Sequence, residues 1–312
     1  MPERASGGTR YPMRYVINRT GLTADLLRAW ERRYGAVRPQ RSPAGQRLYT
    51  DRDIARLLLL RRATLDGHSI GAIAPLDDRA LEALLETSPA IESAAVDLSP
   101  LVRDAMAAVE RLDAPALEAT LRRAAMALGA TAFVDSFAPR LLVEVGERWH
   151  EGGLGPANEH LATSTMRRVL DWVIEAFVVA PHAPRLVIAT PAGERHELGA
   201  MLVSAAAVQE GWRVVYLGAD LPAAQIVHAA SQVRARAVAL SIVASAGRGV
   251  TTELRAVARG LAEGTSLLLG GRAAAQVENV PHARVLTDIA ALRRALRAIR
   301  SVSEPAAHQS ES

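Results

Sequence analysis

The sequence predicts a multidomain fold: an α-helical winged helix-turn-helix, then a helical bundle, then an α/β doubly wound parallel sheet. Three observations predict it. The basic excess is confined to the first 75 residues, apolar residues at helical spacing run between glycine and proline breaks over about 77–180, and from residue 184 short apolar strands alternate with helices. The expected division is 10–76, 77–180 and 184–301, with a polar tail at 302–312. A chain of 312 residues, 49% apolar, can bury more than one core. It contains no cysteine, which excludes disulfides, thiolate metal sites and cysteine nucleophiles; any metal must be held by His, Asp or Glu. The most apolar stretches, 198–208 and 235–245, are interrupted or shorter than the roughly 18 residues of a spanning helix. The N-terminus has no signal-like apolar core, so a cytoplasmic protein without a membrane partner is expected.

All 37 basic residues are arginines; residues 1–75 hold 14 against 6 acids, and residues 76–312 hold 23 against 27. A basic module on a mildly acidic body suits a polyanion such as DNA, and by charge alone equally suits an arginine-rich solvated surface.

The pattern within the module separates these readings. Tyr15-Val16-Ile17 leads through Asn18-Arg19-Thr20 to Gly21, which ends one helix, and Thr23 caps the next, spanning Thr23 to Tyr34. Leu22, Leu26 and Leu27 are placed to pack, while Arg28, Arg32 and Arg33 face elsewhere, as a helix in a major groove requires. Arg38-Pro39 ends it. The run Arg41 to Tyr49 has the turn residues of a small hairpin bearing arginines, and Asp51 and Asp53 cap a third helix with Ile54, Leu57, Leu58 and Leu60 as its apolar stripe.

The strings Arg28-Ala29-Trp30-Glu31-Arg32-Arg33-Tyr34-Gly35, Arg38-Pro39 and Gly45-Gln46-Arg47-Leu48-Tyr49 resemble the DNA-binding domain of MerR-type transcriptional regulators over about 12–76. The resemblance implies contacts to operator DNA from Thr23, Arg28, Arg33 and Tyr34 on the helix and from Arg41, Gln46, Arg47 and Tyr49 on the wing. Trp30 is expected in the core, and Tyr34 is expected to bond a phosphate while its ring packs.

In the last third, strands are expected at 185–190, 212–217, 237–243, 266–269 and 284–286, with helices at 197–210, 223–233, 252–261 and 288–299. Such a sheet binds ligands beyond the carboxyl ends of its strands. The first strand leads into Pro191 to Gly199 with neither a Gly-x-Gly-x-x-Gly nor a phosphate-loop Gly-Lys, so no dinucleotide or ATP fingerprint is present. Instead, Glu194-x-His196-x-x-Gly199, Ser241 ending the third strand and Gly270-Gly271 ending the fourth resemble the cobalamin-binding domain of methionine synthase and its relatives. The resemblance implies that His196 is the lower cobalt ligand, that Glu194 orients its imidazole, and that Ser241 and the glycines border the buried nucleotide tail.

Helices are expected in the middle segment at 80–85, 101–112, 114–128, 133–149 and 159–179. Trp149 and His150 end one helix; Pro156 starts the next, with Glu159 and His160 in its first turn. Trp149-x9-Glu159-His160 resembles the cap bundle of adenosylcobalamin-dependent light-sensing repressors of the CarH and LitR kind. By that resemblance Trp149, Glu159 and His160 frame an adenosyl group, and His150 reaches cobalt once that group has left. The whole chain is then similar to a repressor that binds adenosylcobalamin, forms a dark homotetramer on operator DNA and lets go in light. A second reading keeps the DNA module and gives the sheet domain to a protein partner. A methyl-transfer or radical enzyme would need a large substrate domain, for which too few residues remain.

Overall fold

The computed structural model describes residues 10–42, 45–65, 68–87, 97–244 and 247–301, so the expected wing-tip Pro43-Ala44 and the tail at 302–312 lie outside the described residues. The chain divides into two compact units, Met1–Ala176 and Phe177–Ser312.

The first unit opens with β1 (Arg10–Pro12), α1 (Met13–Thr20), α2 (Ala24–Tyr34), β2 (Gln40–Arg41), β3 (Arg47–Thr50) and α3 (Asp51–Leu65). Gly21, at φ 68°, ends α1 in the left-handed conformation that glycine adopts without strain. Thr23 Oγ1 accepts the Leu26 N–H at 3.2 Å and so caps α2. Leu22, Leu27, Trp30, Leu57 and Leu60 are buried between the helices, whereas Arg28, Arg32 and Arg33 point outward. Two strands of the hairpin pair as expected, and β1 adds a third, with Tyr11 opposite Tyr49 in antiparallel register. Two further helices, α4 (Ile70–Ile73) and α5 (Asp78–Thr87), close the module. Arg56 of α3 fastens them by donating to Asp78 at 2.6 Å and to the Ala74 and Leu76 carbonyls at 2.7 and 2.8 Å.

Four longer helices form the bundle: α6 (Ser99–Glu110), α7 (Ala114–Ala132), α8 (Ala138–His150) and α9 (Pro156–Ile174). Gly129 is non-helical at φ 79°, ψ 157°, and a π-helical turn at Phe133–Phe137 joins α7 to α8. The helical stretch 114–150 is therefore long and apolar enough to cross a membrane by length and composition, contrary to the expectation from the sequence. Many of its apolar side chains, among them Leu117, Leu121, Phe133, Val134 and Phe137, are buried in the bundle core, which accounts for their hydrophobicity.

The second unit is a five-stranded parallel sheet of β4 (Arg185–Ala189), β5 (Arg213–Tyr216), β6 (Ala237–Ser241), β7 (Ser266–Gly270) and β8 (Ala283–Val285) in the order β5-β4-β6-β7-β8. The crossovers run through α10 (Leu198–Gln209), α11 (Ala223–Gln232), α12 (Arg248–Gly260) and, after β8, α13 (Ile289–Ser301). Alternate strand residues divide between two faces: Val187, Val238, Leu240, Leu267 and Leu269 share one core with Ile226 of α11 and Leu254 and Val257 of α12. On the other layer α10 packs on α13, where buried Glu210 accepts from Arg293 at 3.1 Å and from Arg297 at 2.6 Å. Burial opposes ionisation of Glu210, yet the two guanidinium groups win and hold its carboxyl below the usual range.

Candidate functional site

The order β5-β4-β6 makes the gap between β4 and β6 the point where crossovers depart in opposite directions, which leaves a crevice beyond the carboxyl ends of those two strands. The loop after β4 lies there, and its shape is fixed internally. Thr190 Oγ1 donates to the Glu194 carbonyl and accepts the Asp220 N–H, while Asp220 Oδ1 accepts the Gly193 N–H at 2.7 Å.

Glu194 spans the crevice. Its Oε2 accepts the Val243 and Ala244 N–H groups at 2.7 and 2.8 Å, just past β6, and its Oε1 faces both the backbone N–H and the ring Nδ1 of His196 at 2.9 and 2.6 Å. Burial opposes ionisation, but the N–H groups of Ala244, His196 and Val243 together with the imidazole outweigh it and hold the Glu194 carboxyl below the ordinary range. A carboxylate so placed accepts a hydrogen bond from Nδ1–H, the tautomer in which Nε2 carries the lone pair. The Glu194 side chain is 1% exposed and the His196 side chain 60%, so a fixed base presents a free imidazole nitrogen to solvent.

Among the described residues no cluster of three or more His, Asp or Glu is placed to hold a metal by itself. His196 can therefore give one bond to a metal whose other ligands arrive with it, as in a macrocycle. The crevice below carries an unmet polar atom: Ser241 ends β6, is 3% exposed, and its Oγ has no hydrogen-bond partner. A Cβ on Gly199 would lie 2.5 Å from that oxygen, so only glycine at the start of α10 lets the helix pack this close to the hydroxyl. A Cβ on Gly270 would meet nothing within 4 Å, whereas one on Gly271, at φ 96°, would strike the Ile242 backbone. An oriented imidazole, a buried hydroxyl without a partner and open space at Gly270 fit a cobalamin held through His196. Gly270 borders open space, and glycine at 271 is required by its φ and by the Ile242 backbone beside it.

In the first unit, the other predicted ligands flank the five-residue loop between α8 and α9: Trp149 and His150 end α8, and Glu159 and His160 lie near the start of α9. Asn158 Nδ2 donates to the Val109 carbonyl at 2.7 Å, and Gly153 N–H to the Arg148 carbonyl at 2.9 Å, which fixes both helix ends. Trp149 is 45% exposed, while Trp30, Trp172 and Trp212 are 2%, 5% and 0% exposed. Its ring meets that of His150 edge-on at 5.0 Å. Glu159 accepts from Thr163 at 2.8 Å and stands 3.6 Å from the His160 imidazole. A solvent-facing indole at a helix end is free to cover a planar ligand.

On the winged module, Arg28 is solvated and bridged to Asp25 at 3.2 Å, Arg33 is solvated, and Tyr34 is exposed with its ring over Gly71. Arg41 donates to the Gly45 carbonyl at 3.1 Å, and Gln46 faces outward. Tyr49 corrects the expectation of a wing contact with DNA: it is 0% exposed and its hydroxyl donates to Glu31. Burial, then the adjoining carboxylate, raises its phenol further, so it stays protonated. Arg47 joins the same carboxylate at 2.7 Å and is one-third exposed, so only part of its fork remains for a phosphate. Glu31 was missed by sequence reasoning; its signal is a lone acid inside an arginine run.

Comparisons with known proteins follow this layout. Residues 11–79 match the MerR HTH family regulatory protein family, and residues 101–174 and 184–291 match two families each described as a B12 binding domain. The chain is 34% identical over 269 residues to the HTH-type transcriptional repressor CarH of Myxococcus xanthus, covering 85% of this chain and 89% of that one. It is 34% identical over 233 residues to the repressor CarA of the same organism, covering 74% and 76%. The fold of the monomethylamine corrinoid protein of Methanosarcina barkeri superimposes with a TM-score of 0.52 at 16% identity, over 64% of this chain and 99% of that one. With a MerR-type helix-turn-helix ahead of B12-binding domains, and repressors as its full-length relatives, the chain is a transcriptional regulator and no enzyme: it belongs to the family of cobalamin-binding MerR-type repressors that includes CarH and CarA.

Proposed function

We propose that this protein is a light-responsive cytoplasmic repressor that assembles with adenosylcobalamin in the dark as a homotetramer on operator DNA and releases it on illumination. The observation that carries the reading is the pairing of His196, locked by Glu194 with its Nε2 free, and a solvent-facing Trp149 at the end of α8. When bound, adenosylcobalamin supplies a cobalt–carbon bond that light breaks. His196 would hold the cobalt from below, with Ser241 and Gly270 receiving the tail. Trp149 would lie on the adenosyl group, with Glu159 and His160 at its edge, and the neighbouring His150 would reach that face once the group has gone. A methyl group would leave the indole uncovered, which favours the adenosyl form. On the DNA side, Thr23, Arg28, Arg33 and Tyr34 would read and hold the operator from α2, with Arg41, Gln46 and Arg47 on the wing. Four modules acting together would raise affinity through effective concentration.

The test is the absorption spectrum and size-exclusion profile of protein reconstituted with adenosylcobalamin, dark and then lit. A larger dark species that falls apart in light is expected; a single size throughout would overturn the reading. Trp149→Ala should fail to assemble in the dark. His150→Ala should assemble, dissociate in light, and then lose cobalamin more readily; if it cannot assemble, His150 is structural and its assignment falls. Arg33→Ala should weaken operator binding by about 1–3 kcal/mol at fixed salt without changing oligomer size. Equal affinities would remove Arg33 from the reading face.

A further inference from the structure

The turn of the helix-turn-helix is held by side chains of the bundle. Trp172, near the C-terminal end of α9, has Arg61 of α3 stacked 4.2 Å from its ring centroid and Arg122 of α7 4.9 Å from it. Arg61 donates to the Thr20 carbonyl at 3.3 Å and to the Trp172 carbonyl, which joins the end of α1 to α9 through one guanidinium. Arg122 donates to the Gly21 carbonyl and is itself steadied by Glu118 at 2.8 Å. A Cβ at Gly21 would run into the Trp172 indole, so the glycine that permits the left-handed turn also admits the clasp.

This junction is specific but not filled like a permanent core. Arg61 is 5% exposed, and its Nε and the Trp172 Nε1 are buried without partners. Burial, then the charge of Arg122, brings the Arg61 guanidinium down to about 10. A cleft of about 570 Å³ adjoins the clasp, bordered by Gly21, Thr23, Pro115, Glu118 and Arg122. The junction is thus polar and directional, bordered by an open cleft and with two buried donors unmet.

The other end of the same rod is the predicted ligand edge. Glu159 and His160 sit in the first turn of α9, and thirteen residues of helix, roughly 20 Å, separate Glu159 from Trp172. We infer that Arg61, Trp172 and Arg122 are positioning residues for DNA reading, through which the state of the α9 N-terminus sets the orientation of α2. This inference rests on the assignment of Glu159 and His160 to the upper face of the cofactor.

The test uses full-length wild type, Trp172→Leu, Trp172→Phe and Arg122→Met, all checked by circular dichroism. Without cofactor, amide exchange at Gly21 and Leu22 should quicken at least tenfold in Trp172→Leu and Arg122→Met but not in Trp172→Phe, which keeps an aromatic face; unchanged exchange overturns the clasp. With adenosylcobalamin in the dark, all four should show the same cofactor spectrum and oligomer size. The ratio of operator affinity with and without cofactor should then fall at least fivefold in Trp172→Leu and Arg122→Met, and Trp172→Phe should restore it. A full ratio in folded, cofactor-bound variants overturns the coupling. If Trp172→Leu does not fold, Arg122→Met decides both arms. Wild type that takes up no cofactor refutes the functional reading and the coupling together, while the exchange result still judges the clasp.

Discussion

Alanine at position 196 is expected to weaken cobalamin binding by about 100-fold or more, and any cofactor retained should show a spectrum without a histidine ligand. The size follows from what is removed. Replacing an outer partner of a metal ligand already costs about 10–100-fold, and here the ligand itself is lost while Glu194 stays buried with one of its four donors gone. Glu194→Gln should fall within that 10–100-fold range, because an amide presents an N–H to at least one of the four donors that now point at the carboxylate. Titration of each variant with cobalamin, followed by absorption, measures both effects. An unchanged affinity and spectrum in His196→Ala would remove His196 from the site.

The second large effect separates two neighbours. Gly271→Ala should cost about 2–4 kcal/mol of stability, since alanine is strained at φ 96° and its methyl group would meet the Ile242 backbone, which cannot move without breaking the β6 to β7 pairing. Gly270→Leu should leave the fold within about 1 kcal/mol, because its Cβ enters open space, yet cut cobalamin affinity at least tenfold by filling the space at the end of β7. Thermal melts and cofactor titrations on the pair read the two quantities apart. If Gly270→Leu binds as wild type does, the tail does not pass along the end of β7.

Much of this was legible from local pattern. The sheet strands and their helices fall within a turn of their expected places because each carries a complete apolar period between glycine or proline breaks; α12, which begins at Arg248 rather than Thr252, departs most at its start. The continuation of helix past Gly129 was not legible, since the residues after it restore the apolar stripe through a π-helical turn. Nor was β1, whose three residues owe their extended form to pairing with β3. In the candidate site, Glu194 and His196 are two residues apart and readable as a pair, but the two N–H groups that fix Glu194 lie some fifty residues onward, and Ser241 shows its unmet hydroxyl only once α10 is packed. The misplacement of Tyr49 has a simple origin. A motif marks which residues recur, and recurrence serves a buried hydroxyl as well as a solvated one.

That hydroxyl has a consequence for the operator. Glu31, midway along α2, receives both Tyr49 and Arg47 of β3, so the helix and the wing strand are cross-braced through one carboxylate. The distance between what the helix touches and what the wing touches is then a constant of the protein. A base pair inserted within one half-site would put the wing out of phase by about a tenth of a helical turn, and no flexure of the module could absorb it. On the proposed docking, the brace therefore makes the register within each recognised segment a fixed requirement of the module.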